Sequence, residues 1–199
     1  MTDVAVLDLH DVDGGAQLGV VVPMLGGLVA QVRPVDMGLS TPCASWTTRD
    51  LLNHLVGGAT MFAGAFGGEA LRDISGRMPD VVGDDPAAAF GAAAERFGAA
   101  TQLPGAMDRV FDLPFGTMTG RTVLRFIAFD LLIHSWDLAT TLGTTLDVPD
   151  DIVIEISDFA HLLLDGWTRD GINFTAEAPA PATASPLERL VAFSGRTVA

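Results

Sequence analysis

The stretch from Gly120 to Leu142, GRTVLRFIAFDLLIHSWDLATTL, constrains this chain more than any other. Leu124, Phe126, Ile127, Phe129, Leu131, Leu132, Ile133, Trp136, Leu138 and Leu142 leave it no fully polar face. A helix that is apolar nearly all round belongs inside a core. Three polar residues interrupt it: Asp130, then His134 four positions on, then Asp137 three further. Residues at i, i+4 and i+7 share one helical face. Burying a carboxylate and an imidazole is costly unless each meets a hydrogen-bond partner, an opposite charge or a metal ion.

The remaining segments read as partners for that helix. Leu18, Val22, Leu25, Leu28, Val29 and Val32 recur at helical spacing, which predicts a first helix over Ala16 to Val32. Pro23 and the Gly26-Gly27 pair weaken it, and Pro34 stops it. A second helix begins with Thr47 or Thr48 as N-cap and Asp50 in its first turn, and runs through LLNHLVGGATMFAGAFGG. Its small residues, Gly57 to Ala59 and Ala63 to Ala65, would admit a neighbouring backbone. A third, Ala-rich helix is expected from Asp85 to Ala100, with Pro86 at its first position.

Residues 34–45 and 67–84 read as connections, and 101–119 as an irregular one with a short strand pair around Val-Phe-Asp-Leu. Gly143 ends the central helix, a further helix spans Ile152 to Trp167, and a short one spans Pro186 to Phe193. Residues 1–13 look like a poorly determined leader and 171–185 like a surface arm. The expectation is one all-α domain over residues 1–199.

At 199 residues, 49% apolar and with a mean hydropathy of +0.38, the chain can build a sizeable single core. A net charge of −14 argues against nucleic acid or an anionic membrane as partner. Cys43 is the single cysteine, which excludes an intrachain disulfide and fits a reducing cytosol. Residues 1–13 carry four aspartates and no basic start, and Leu18 to Val32 is too short for a bilayer span, so a cytoplasmic protein is expected.

Of four histidines, His10 sits in the acidic leader and His161 lies beside Asp158 and Asp165, which reads as solvated. His54 and His134 lie in apolar helices. Either alone would read as a core histidine bonded to a carbonyl. With Asp130 they suggest two helices presenting polar groups to a bundle interior, where metal sites are built. Three protein ligands and an open fourth position are the pattern of a catalytic zinc-type site. Spacing leaves open a second reading, a buried Asp–His hydrogen-bond network.

Asp50 and Asp137 could hold imidazole N–H groups from behind; as alternatives, Asp50 suits a helix N-terminus and Asp137 a helix-end hydrogen bond. Trp46, Trp136 and Arg125 are candidates to line a pocket, with core packing the commoner task for Trp. Cys43 precedes a helix, where a thiolate is favoured, but no Cys–His pairing is visible in the sequence. No P-loop or Rossmann fingerprint is present.

The segments TPCASWTTRDLLNHLVGG, PGAMDRVFDLPFGTMTG, FDLLIHSWDLATTLG and PLERLVAFSGR resemble the DinB-like superfamily, over roughly Leu18 to Arg196. More closely, they resemble its metal-binding branch, similar to the N-terminal domain of mycothiol-dependent maleylpyruvate isomerase. The resemblance implies a DinB-like four-helix bundle, here with a short extra C-terminal helix. It also implies one divalent metal, usually zinc, held by three protein ligands and water. By position these ligands would be His54, Asp130, where the isomerase has the longer Glu, and His134.

Three functions follow. The first is a mycothiol-type or other small-thiol transferase or isomerase, in which the metal activates a bound thiol as thiolate. The second is a thiol-independent isomerase, cyclase or lyase of a specialised metabolite, with the metal as Lewis acid. The third is a metal-free binding or stress-response protein on the same scaffold. The implied partner is a small-molecule substrate, and the chain would be a monomer or homodimer.

Overall fold

The apolar stretch forms α4 (Gly120–Leu142), and the other elements are arranged by what can cover it. The computed structural model describes residues 6–9, 11–43, 45–71, 79–113, 116–165 and 175–198. Val123, Ala128, Phe129, Leu132 and Leu138 of α4 are wholly buried. Burial of each Leu or Phe stabilises the fold by roughly 1.5–3 kcal/mol. α1 (Gly14–Val29) lies along α4, and α2 (Thr48–Phe66) packs along α3 (Pro86–Thr101). α1 also meets α3, and α2 meets α4, which closes the four-helix bundle. α5 (Asp150–Asp165) covers α4 from outside the bundle, and α6 (Pro186–Phe193) packs on α5.

The helices start where local chemistry satisfies their first N–H groups. Thr47 and Asp50 form a capping box on α2, Asp85 caps α3 ahead of Pro86, and Ser185 with Glu188 boxes α6. Gly143 ends α4 in the left-handed conformation, with φ +66°. α1 tolerates Pro23 within its length and ends at Val29, short of the expected Val32.

Two expectations are corrected. The leader carries structure: β1 (Val6–Leu7) pairs parallel with β3 (Gly116–Thr119), which pairs antiparallel with β2 (Val110–Leu113). This small sheet, in the order β1-β3-β2, makes the fold mostly rather than purely helical. Long-range bonds hold the leader: Leu9 N–H donates to Thr122 Oγ1 at 2.8 Å and the Thr119 hydroxyl to Asp8 Oδ1 at 2.8 Å. Two-residue pairing of this kind has no periodicity to announce it. The second concerns one of the small residues of α2, Gly58. A Cβ built on Gly58 meets no atom within 4 Å, so this glycine borders open space rather than a neighbouring backbone.

The apolar interior falls into two clusters. One gathers Phe66, Phe129, Leu132, Ile156 and Phe159; the other gathers Leu25, Leu51, Leu52, Leu55 and Leu138. Val22, Ala59 and Leu131 touch both and mark the seam between them. No helix among the described residues is long and apolar enough to cross a membrane. His10 and the last two residues of the expected fifth helix, Gly166 and Trp167, lie outside the described residues, as does the start of the 171–185 arm.

Candidate metal centre

α2 and α4 bring three side chains to one point. His54 Nε2 lies 3.2 Å from Asp130 Oδ2, and His134 Nε2 lies 3.5 Å from Asp130 Oδ1. One carboxylate thus faces two imidazoles, an oxygen to each. The imidazole rings of His54 and His134 meet edge to face, with centroids 4.9 Å apart. α2 is held in register here by Asn53, whose Oδ1 accepts from the N–H groups of Val81 and Val82 at 2.8 and 3.0 Å.

The site is open on one side. The side chains of His54 and Asp130 are 30% and 24% exposed, against 6% for His134 and none for Asp137. Trp46, in the turn before α2, stacks on His134 with ring centroids 5.6 Å apart and tilts over His54 at 4.9 Å. It therefore fixes both imidazole planes.

Behind His134 stands a second, fully buried tier. His134 Nδ1 donates to Asp137 Oδ2 at 2.9 Å. Arg196, arriving just past α6, donates to the same carboxylate through Nη2 at 3.0 Å and Nε at 3.3 Å. The donor bond at Nδ1 leaves Nε2 as the nitrogen aimed at Asp130 and His54.

Protonation follows from these contacts. Burial pulls the His134 pKa down, but the Asp130 charge, hydrogen bonds donated to Asp130 and Asp137, and the Asp137 charge outweigh it and raise it to about 9. Burial pushes Asp130 up, yet the charges and hydrogen bonds of His134 and His54 hold it well below the usual carboxylate range. Asp137 is likewise lowered: burial opposes ionisation, and the His134 bond and charge, with Arg196 behind, overcome it.

The three donors fit a divalent ion. Two ligand atoms at ~2.0–2.1 Å from a tetrahedral ion lie about 3.3 Å apart, close to the 3.2 and 3.5 Å separations here. A ligand atom from each of His54, Asp130 and His134 lies within 4.8 Å of the others. Two neutral nitrogens with one carboxylate are a donor set suited to zinc and other first-row metals.

A second trio shares His134. Cys43, His134 and Asp137 also lie within 4.8 Å of one another, a Cys–His proximity invisible in the sequence because 91 positions separate the two. Burial, with Asp137 and Asp130 adding to it against Arg196, pushes the Cys43 thiol up to about 11. At neutral pH it is a thiol and a poor nucleophile.

Other candidates go elsewhere. Asp50 accepts from the Thr47 N–H at 3.0 Å and the Thr47 hydroxyl at 2.6 Å, which is the capping alternative. Arg125, five residues before Asp130 and so about 140° round the helix, faces outward from the bundle. Its Nη1 donates to Asp11 at 2.9 Å and its guanidinium lies 4.9 Å from the Phe159 ring centroid, so it lines no pocket at the histidines. Trp136, about 160° round from His134, packs against the first apolar cluster. His161 is exposed and its ring lies tilted against Phe193, with centroids 3.7 Å apart. Arg196 was not singled out as a site residue; its only signal was its place at the end of PLERLVAFSGR.

Comparison with known proteins agrees with this architecture. The family model of the mycothiol maleylpyruvate isomerase N-terminal domain matches residues 24–139. Uncharacterized proteins from two strains of Mycobacterium tuberculosis are each 34% identical over 172 residues, covering 86% of this chain and 91% of their own. The crystal structure of the mycothiol-dependent maleylpyruvate isomerase superposes with a TM-score of 0.58 at 17% identity, and that of a histidine-to-alanine mutant with 0.60 at 16%. Each superposition covers 74% of this chain and 69% of the other, and shows a shared DinB-like fold.

Proposed function

This chain belongs to the family of the mycothiol maleylpyruvate isomerase N-terminal domain, and on that premise we propose that it is a divalent-metal-dependent enzyme using a small thiol of the mycothiol type in a transferase or isomerase reaction. The observation that carries this reading is the spacing of His54, Asp130 and His134 around one point, open to solvent on the side of His54 and Asp130. A bound zinc-type ion would supply a Lewis acid that favours the thiolate form of a coordinated thiol.

The chain's own residues have separable tasks. His54, Asp130 and His134 hold the ion. Asp137 fixes the His134 ring and raises its basicity as a ligand. Arg196 holds Asp137, and Trp46 clamps both imidazoles. The incoming thiol approaches from the exposed side, because the opposite side is filled by Asp137 and Arg196. Cys43, kept neutral by burial, does not compete as the nucleophile. The substrate is a small molecule, and the setting is the reducing cytosol.

The test is elemental analysis of the purified chain after zinc loading, with His54→Ala and His134→Ala alongside, followed by turnover of thiol-conjugate substrates with mycothiol. One ion per wild-type chain, loss in both variants and loss of thiol-dependent turnover with the ion support the proposal. A wild type that retains no stoichiometric metal removes the basis of metal catalysis. Thiol-linked activity unchanged in His134→Ala removes the thiol-activation role.

A further inference from the structure

A cavity of about 80 Å³ opens directly onto two of the three proposed ligands. It lies in the seam between the two apolar clusters, where α1 to α4 converge, and is walled by Gly58, Ala59, Phe62, Phe90, Phe97 and Phe126 among others. His54 and Asp130 are its only polar side chains among the described residues. No arginine among the described residues lines it, and the chain contains no lysine.

This wall selects by charge. A carboxylate carried into the cavity would lose its water and find no cationic side chain in the described wall, both of which oppose binding. An uncharged hydrocarbon group loses nothing there and gains burial. Size limits it too. The volume is roughly half that of an engineered 150 Å³ apolar cavity that takes benzene, which leaves room for a short chain rather than a large ring. Gly58 keeps that room, since a side chain at this position would project into space no atom fills.

We propose that the molecule handled at this centre carries a short, uncharged alkyl or alkenyl arm that enters the α1–α4 cavity while its polar reacting end lies at His54 and Asp130. A substrate with a carboxylate at both ends does not fit. This assignment rests on the metal-centre reading for the placement of the polar end, but the cavity itself does not depend on an ion.

Straight-chain alkyl hydroxamates from acetyl to hexanoyl, which join a metal-binding head to an apolar tail, test it by titration calorimetry on the zinc-loaded full chain. Affinity should rise about fourfold per added methylene over the first few carbons and then level off. The monohydroxamate of succinate should bind at least tenfold more weakly than the length-matched pentanoyl probe. Gly58→Leu should keep the zinc stoichiometry and the acetohydroxamate affinity but lose the gain with chain length, and Ala94→Leu, from the α3 wall, should repeat that result. Affinity independent of tail length in the wild type, equal binding of the carboxylate-tailed probe, or no measurable binding of any probe overturns the proposal. The two readings fail differently. Length dependence in a wild type that takes up no zinc keeps the cavity assignment and removes the metal centre. Zinc-dependent but length-independent binding does the reverse.

Discussion

Arg196 lies 59 positions beyond Asp137 in the chain, yet its guanidinium closes on the Asp137 carboxylate with Nη2 3.0 Å from Oδ2 and Nε 3.3 Å from Oδ1. Asp137 has no solvent-exposed surface and Arg196 is 8% exposed, so the pair is buried. Because Asp137 also accepts from His134, the C-terminal segment is mechanically tied to the candidate metal centre.

Arg196→Met should therefore destabilise the chain sharply. Removing one partner of a buried pair leaves an uncompensated charge and costs about 3–5 kcal/mol. Urea unfolding, read by far-UV circular dichroism, checks this. A midpoint unchanged from wild type would mean that the contact carries no stability.

Asp137→Asn keeps the shape but cannot accept in the same way from both His134 Nδ1 and the guanidinium. Loss of such a ligand-orienting carboxylate typically weakens metal binding by ~10–100-fold. Competition with a chelating dye should show that loss for zinc, with helical content retained.

Gly195 makes Arg196 possible. With φ +95° it turns the chain at the end of α6, and the Arg196 N–H returns to the Val191 carbonyl at 3.2 Å. A Cβ here would be strained and would also run into the Thr175 hydroxyl. Gly195→Ala should cost at least ~1–2 kcal/mol for the backbone conformation alone and weaken zinc binding in step with Asp137→Asn. Thermal unfolding and the same dye competition measure both.

The metal-free chain should lose stability in alkali. The His134 pKa is raised from its ordinary 6.5 to about 9. Its contribution is thus fully present below about 6.5 and disappears as pH rises through about 9. Asp130 and Asp137 are lowered, so their contributions are present above the ordinary carboxylate range and vanish as acid protonates them. Zinc bound at His134 would displace the ring proton, so zinc affinity should rise about tenfold per pH unit from 7 toward 9. Denaturation of the apo chain across pH and zinc titrations across the same range check the two signs.

The core helix and its candidate ligands are legible because they obey local rules. An apolar rod broken at Asp130 and His134 reveals itself by its 3.6-residue period, and Thr47 and Asp50 announce the start of α2. What stayed hidden depends on distance along the chain. Cys43 and Arg196 reach His134 and Asp137 only through packing, and β1 pairs with β3 through two residues. Gly58 looked like a close-packing residue, because a glycine that admits a backbone and one that preserves a cavity are identical in sequence. Arg125 and Trp136 lie near Asp130 and His134 in sequence, but their angle round α4 turns them to other faces.

Zinc K-edge X-ray absorption on the loaded chain tests the central claim most directly, because it separates the two trios that share His134. Coordination by His54, Asp130 and His134 predicts nitrogen and oxygen scatterers alone at ~2.0–2.1 Å, with a signature of two imidazoles. A sulfur scatterer at ~2.3 Å would place the ion at Cys43 instead and contradict the assignment.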